Sequence, residues 1–315
     1  MHAPTGEQFR LTGTWGITST ETSTTEAIVT ELAAGLRTLT VGGMHLTEPY
    51  RENAKPSFGN GIVLVPWPNR VRDGLWTLDG EEQQLDVTEP KLGNAIHGLL
   101  RNTAYRLLDR SDASVTLGAT VFPQHGYPFL LETSVRYEVH VGGLSVTHSI
   151  RNRSDAAAPV AIGAHPFLRV GDAPIEDLTI EVHAGTWFEA DARQNPIAEH
   201  PVNGTGYDLS SGRRVGDLSL DTAFGAMQAD GGVARHRLTA TDGRWVELWQ
   251  EADFGYVQVF TAPEFEREDG KGLAVAIEPM TAPPNALNSG EGLRWLEPKD
   301  TWTLSWGIAA GNPHG

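Results

Sequence analysis

The chain has 315 residues, of which 39% are hydrophobic and 20% charged, the balance of a globular protein able to bury a large core. A formal charge of -16 argues against nucleic acid and anionic membrane surfaces as partners, and the absence of cysteine excludes disulfides and thiolate metal sites. MHAPTGEQFR lacks the basic region and apolar core of a signal peptide, and no apolar run approaches the roughly 20 residues of a membrane helix, so a soluble, cytoplasmic protein is expected.

In chain order, the predicted elements are short strands separated by Gly, Asp and Asn turns. Residues 25–46 (TEAIVTELAAGLRTLTVGGMHL) read as two strands, and 75–87 (LWTLDGEEQQLDV) as a hairpin around Asp79-Gly80. Residues 133–152 (TSVRYEVHVGGLSVTHSIRN) alternate on both sides of Gly142-Gly143, a hairpin by period and by turn chemistry. The polar, Gly-rich stretch 189–225 is expected to form long loops. HRLTATDGRWVELWQ repeats the hairpin pattern around Asp242-Gly243, and YVQVFTA, LAVAIEPM and TWTLSWGIA supply late strands. Nothing long carries a 3.6-residue period, and no biased linker or fixed-period repeat divides the chain. The expectation is therefore all-β: one domain over residues 1–315, built as a large antiparallel β-sandwich or barrel.

LAVAIEPM raises a question, because an ionised carboxylate is costly to bury without a partner. With period 2, Ala274, Ala276 and Glu278 share one face while Leu273, Val275 and Ile277 take the other. Small neighbours leave room for another backbone or a bound molecule, and Pro279, lacking an N–H, is expected to stop the ladder. VAIGAHPFL repeats the pattern, with Ala161 and Gly163 sharing a face with His165 before Pro166. Singly, these are an ordinary core histidine and a solvated rim carboxylate. Together they suggest two walls of one pocket with an acid and a base at its rim.

Other candidates are weaker. VPWPNRVRDG braces Asn69 and Arg70 between prolines and an Asp73-Gly74 turn, which would hold Arg70 as a multi-donor fork for substrate oxygens or merely in water. His97 sits beside Gly98 at a predicted strand end, and Asp221 in LDTAFG reads as a turn-capping loop residue. His97, His165 and Asp221 would be the one conceivable metal set, which local spacing does not favour. Phosphate-loop and nucleophile-elbow motifs are absent, so no cofactor and no metal are expected and acid–base chemistry remains.

PWPNRVRDG, NAIHGLL, IGAHPFL, DTAF and AIEPM…PPNALNSG occur in an order that resembles the aldose 1-epimerases, or galactose mutarotases, from about Gly13 to Trp306. That resemblance implies a large antiparallel β-sandwich binding a monosaccharide in an open cleft on one sheet. It implies Glu278 as general base at the anomeric hydroxyl and His165 as general acid at the ring oxygen. It also implies substrate hydrogen bonds from His97, Arg70 and the neighbouring Asn69, and a sugar-binding role for Asp221. The sequence departs from the common pattern at Leu99, at Ala164 and Phe167 around His165, and at Pro66-Trp67-Pro68, which bears on which sugar is used. Neutral, phosphorylated and otherwise anionic hexoses all stay open, as do a monomer and a homodimer. A non-catalytic sugar-binding sandwich and a glycoside hydrolase using Glu278 and Asp221 are the rival readings.

Overall fold

The alternating segments become strands because each presents one apolar face to a shared core. The computed structural model describes residues 3–16, 22–267 and 270–312, which are almost entirely antiparallel β-structure. A ten-stranded sheet runs from Arg106–Arg110 through Ser114–Val121, Leu131–His140, Gly143–Asn152, Thr301–Gly311, Trp245–Glu251 and Val233–Thr239 to Thr179–Val182 and Arg213–Arg214, with Ala229–Asp230 pairing beside Val233–Thr239. An eight-stranded sheet orders Pro196–Pro201, Ala184–Ala190, Asp221–Met227, Tyr256–Arg267, Gly270–Met280, Gly163–Ala164 and Val63–Leu64, with Phe167–Leu168 pairing beside Gly270–Met280. Residues 8–45 add a four-stranded antiparallel sheet.

All three predicted hairpins form. Leu131–His140 pairs with Gly143–Asn152 through Gly142 at φ 77, a left-handed position that favours glycine. Leu75–Leu78 pairs with Glu81–Gln84, and Val233–Thr239 pairs with Trp245–Glu251. One buried apolar cluster draws on every part of the chain, from Phe9 and Leu11 through Trp76, Tyr137 and Phe224 to Trp306 and Ile308.

The stretch 189–225 departs from expectation. It carries the strands Pro196–Pro201 and Asp221–Met227 and completes Ala184–Ala190, all within the eight-stranded sheet. Its glycines and prolines mask the half-exposed edge strand Pro196–Pro201, where an apolar alternation is not required, while Asp221–Met227 lies inside the sheet between Ala184–Ala190 and Tyr256–Arg267.

Burial of histidine sets a pH response. His148 is fully buried, accepts the Trp306 indole N–H at 2.9 Å, and is pushed down to about 3 by loss of water. His236 and His165, also buried, are pushed down to about 4, again chiefly by desolvation. An unfolded histidine titrates near 6.5, so between about pH 6.5 and 4 the unfolded chain binds more protons and stability falls as pH falls. The slope is at most about 1.4 kcal/mol per pH unit for each histidine. Glu278, whose carboxyl is raised by burial, acts with the opposite sign. Urea unfolding at pH 7, 5.5 and 4.5 is expected to show a steep loss of stability, and a flat profile would contradict this account.

Candidate active site

Glu278 lies one place before Pro279 in the strand Gly270–Met280 and pairs across the sheet with Gln258. Pro279 does not stop the ladder as expected: Val257 pairs with Pro279 and Tyr256 with Met280. Nor does the face of small residues hold a ligand. Ala274 and Ala276 are covered by Phe167 and Phe265, whose rings lie 4.6 Å apart, so aromatic packing takes the room the alanines leave. Face counting finds the right side of the strand for Glu278, while the cavity opens only at its end.

His165 is not on a strand. It stands between Gly163–Ala164 and Phe167–Leu168, held by its own N–H to the Ile62 carbonyl at 3.0 Å and by the Gly61 N–H to its carbonyl at 2.8 Å. Gly163 permits this approach, since a Cβ there would meet the Pro68 Cβ at 2.8 Å and the Pro279 carbonyl oxygen at 3.1 Å. Ala161 packs with Ala282 and Ala286 instead of sharing a pocket wall with His165. The imidazole stacks on Phe167 at 5.3 Å and meets the edge of His97 at 5.3 Å.

The two residues converge. His165 Nε2 lies 3.5 Å from Glu278 Oε1, with only 5% and 2% of the residues exposed. Burial raises Glu278 well above the carboxylate range, and the Asp221 charge adds to this while Arg70 opposes it. Desolvation therefore wins over the arginine. For His165 burial again dominates, helped by Arg70 and Arg101, so a freely ionised imidazolium near neutral pH is not what this environment favours. Both shifts favour a neutral carboxyl beside a neutral imidazole. Glu278 Oε2 and His165 Nδ1 are buried without a hydrogen-bond partner among the described residues, an expensive state that a polar ligand would relieve.

Four residues close a ring beside the pair. The Arg70 N–H donates to Asn69 Oδ1 at 2.9 Å, Asn69 Nδ2 to Gln258 Oε1 at 3.2 Å, and Gln258 Nε2 to Asp221 Oδ1 at 2.6 Å. Asp221 Oδ2 returns to Arg70 Nη2 at 3.5 Å. Arg70 also grips Glu89 with two bonds of 2.9 and 3.1 Å, so its fork is preset rather than waving in water. Asp221 opens the strand Asp221–Met227 and is not a loop cap.

His97 follows the short strand Asn94–Ile96, as expected, in the left-handed region at φ 63; Asn69 mirrors it at φ 55. The two strained residues support each other. The Asn69 N–H donates to His97 Nδ1 at 3.2 Å and the His97 N–H to the Asn69 carbonyl at 2.9 Å. Because Nδ1 accepts, and burial keeps His97 neutral by lowering it well below 6.5, the ring proton sits on Nε2 as a donor.

A cleft of about 380 Å³, within the range of small-molecule sites, is lined by all six candidates: Asn69, Arg70, His97, His165, Asp221 and Glu278. A cavity of about 720 Å³ lined by His45, Glu48, Arg169 and Arg267 contains none of them. Glu89, Arg101, Gln258, Phe58 and Phe260 also line the cleft and were not singled out by the sequence. Gln258 had a usable signal, an amide inside the apolar run YVQVFTA. Leu99, Ala164 and Phe167 do not line the cleft, and Phe167 acts on it through the rings of His165 and Phe260. Among the described residues no His, Asp and Glu cluster is arranged to hold a metal ion, so His97, His165 and Asp221 do not form a ligand set.

Comparison with known proteins gives the chain's fold and family. The chain is 31% identical to the Escherichia coli K12 protein YihR, over 86% of this chain and 85% of that one. The galactose mutarotase-like protein of Clostridium acetobutylicum superposes with a TM-score of 0.79 at 17% identity, covering 96% of this chain and 98% of the other. The galactose 1-epimerase of Lactobacillus acidophilus NCFM gives 0.75 at 16% identity, covering 97% and 99%. The sequence profile of aldose 1-epimerase matches residues 17–308, nearly the whole chain, and the protein belongs to the aldose 1-epimerase family.

Proposed function

We propose that this chain interconverts the α and β anomers of a hexose by general acid–base catalysis, with Glu278 as base and His165 as acid. The observation that carries the reading is the buried 3.5 Å contact between the two groups, opening onto a sugar-sized cleft lined by preset hydrogen-bonding groups.

Ring opening needs a proton taken from O1 and one given to O5. In the closed-sugar complex the productive form is carboxylate and imidazolium, reached by moving the pair's shared proton across the contact. Sugar hydroxyls donating to Glu278 favour that form, while the charge of Arg70 favours its carboxylate and opposes its imidazolium. Glu278 takes the O1 proton, the C1–O5 bond breaks, and His165 delivers its proton to O5. The pair is left as neutral carboxylic acid and neutral imidazole, which is the form burial favours. Rotation about C1–C2 turns the aldehyde. His165 then removes the O5 proton, O5 attacks C1 from the other face, and Glu278 returns its proton to O1. Atoms and protons balance. The environment that shifts both groups away from their ionised states thus stabilises the complex of the open-chain intermediate.

His97 would donate from Nε2 near the ring oxygen, and Arg70 with Asp221 would bind hydroxyls. Asp221→Ala is expected to raise KM for a hexose by roughly tenfold or more, the loss of a charge-assisted hydrogen bond, with a smaller change in kcat. An unchanged KM in steady-state exchange kinetics would remove Asp221 from binding.

Polarimetry on freshly dissolved α-anomer, backed by anomer-resolved NMR exchange across glucose, galactose and their anionic derivatives, tests the reading. Acceleration above the spontaneous rate supports a mutarotase and identifies the hexose. Binding without acceleration would indicate a sugar-binding protein, and phenol release from aryl glycosides would indicate a hydrolase.

A further inference from the structure

The reaction above uses no apolar residue, yet Phe58, Ile62, Ile96 and Phe260 line the same cleft. Phe58 differs from the others in two independent ways. It is 47% exposed, although Phe260 at 5.6 Å and Phe265 at 6.4 Å offer it an aromatic neighbourhood. Its backbone stands at φ 50, ψ 27, a left-handed conformation that a bulky side chain enters only against steric resistance. Glycine or asparagine would satisfy that turn with less strain. Packing on Phe260 and Phe265 covers part of the ring but explains neither its exposed part nor the left-handed backbone that holds it there, and strain of this kind concentrates at ligand clamps.

The ring's surroundings say what it would meet. Phe260 shares a strand face with Gln258, the cross-strand partner of Glu278, so Phe58 and Phe260 form an apolar flank next to the acid–base pair. A pyranose has a polar rim of hydroxyls and apolar faces of C–H groups. With its rim met by Arg70, Asp221, His97, Glu278 and His165, a face remains to be covered. The hydrogens of that face carry partial positive charge, and an aromatic face carries the complementary negative quadrupole.

We propose that Phe58 is a specificity-determining, sugar-stacking residue whose ring covers a C–H face of the bound pyranose. The proposal rests on the mutarotase reading and deepens it: the substrate class is an aldopyranose with one face free of bulky substituents. Because the ring contacts the sugar alike before and after opening, its contribution falls on binding rather than on the chemical step.

The test uses the full chain with D-glucose and D-galactose as probes, measuring NMR exchange kinetics, the Kd from ligand-observed NMR titration, and thermal melting. Phe58→Ala is expected to raise KM and Kd about tenfold with kcat within about twofold. Phe58→Tyr, which keeps the ring, should hold both within about twofold of the wild type, and a residue needed only for packing would instead show its loss in melting with KM and Kd unmoved. Phe58→Gly should bind as weakly as Phe58→Ala yet melt at or above it, since glycine accepts φ 50. Unchanged KM and Kd in Phe58→Ala, or no rescue by tyrosine, overturns the proposal. A wild-type protein that binds sugar without exchanging anomers sinks the mutarotase reading, and the Kd comparison still decides the role of Phe58.

Discussion

Glu278→Gln is expected to lower the catalysed anomer-exchange rate by about 10²–10⁴-fold, the usual contribution of a positioned general base. Glutamine keeps the side chain's shape and its capacity to hydrogen-bond a hydroxyl, so the Kd for the sugar should change little. The loss should therefore appear in kcat. Stability should move the other way. Burial raises the Glu278 carboxyl, so the folded protein holds a proton that the unfolded chain releases above about pH 4.3. Wild-type stability then declines as pH rises from there through the folded pKa, and the glutamine variant escapes that decline. At neutral pH it should melt at or above the wild type. A variant with near-wild-type turnover would remove Glu278 from the base role, whatever its stability.

His165→Asn is expected to cost a similar 10²–10⁴-fold in kcat, because no other group within the contact can protonate O5 and later take that proton back. The wild-type pH–rate profile carries a further signature. The single-proton form of the pair exists between the titration of His165, near 4, and the raised titration of Glu278. On the acid side turnover should thus fall as pH approaches about 4. A profile with its acid limb near 6.5 would mean that His165 titrates like an exposed histidine, contrary to its burial.

Part of the candidate site was legible because Glu278 sits near the end of a strand with a period-2 pattern. Counting faces put Glu278 opposite the apolar side of its strand, and the same count flagged His165. The count reached two residues that line one cleft, for a different reason in each case. Glu278 does follow strand geometry. His165 is held in a connection by backbone bonds to Ile62 and Gly61, which no local period encodes. The inference that small residues mean an open hollow failed, since Ala274 and Ala276 are filled over by Phe167 and Phe265, side chains distant in sequence.

What lay beyond the sequence was mostly long-range pairing. Arg70 reads as a fork for ligands, but its partner Glu89 and the ring through Gln258 to Asp221 join residues as far as 189 positions apart. The balance between burial and Arg70 at Glu278 was likewise unreadable, because it depends on how deeply the fold sinks the carboxyl. The strands between residues 189 and 225 were hidden by turn-rich composition, at a half-exposed edge for Pro196–Pro201 and inside the sheet for Asp221–Met227. In each case tertiary packing overrode a local signal.

Reciprocal action of one glutamate and one histidine on a single sugar ring is measured most directly by comparing Glu278→Gln, His165→Asn and the double variant in anomer-resolved NMR exchange at saturating hexose. Groups that pass one proton pair around a cycle fail as a unit, so the double variant should exchange no more slowly than the worse single variant. Losses that instead multiply, or a single variant that turns over like the wild type, would mean that the two side chains do not share the reaction.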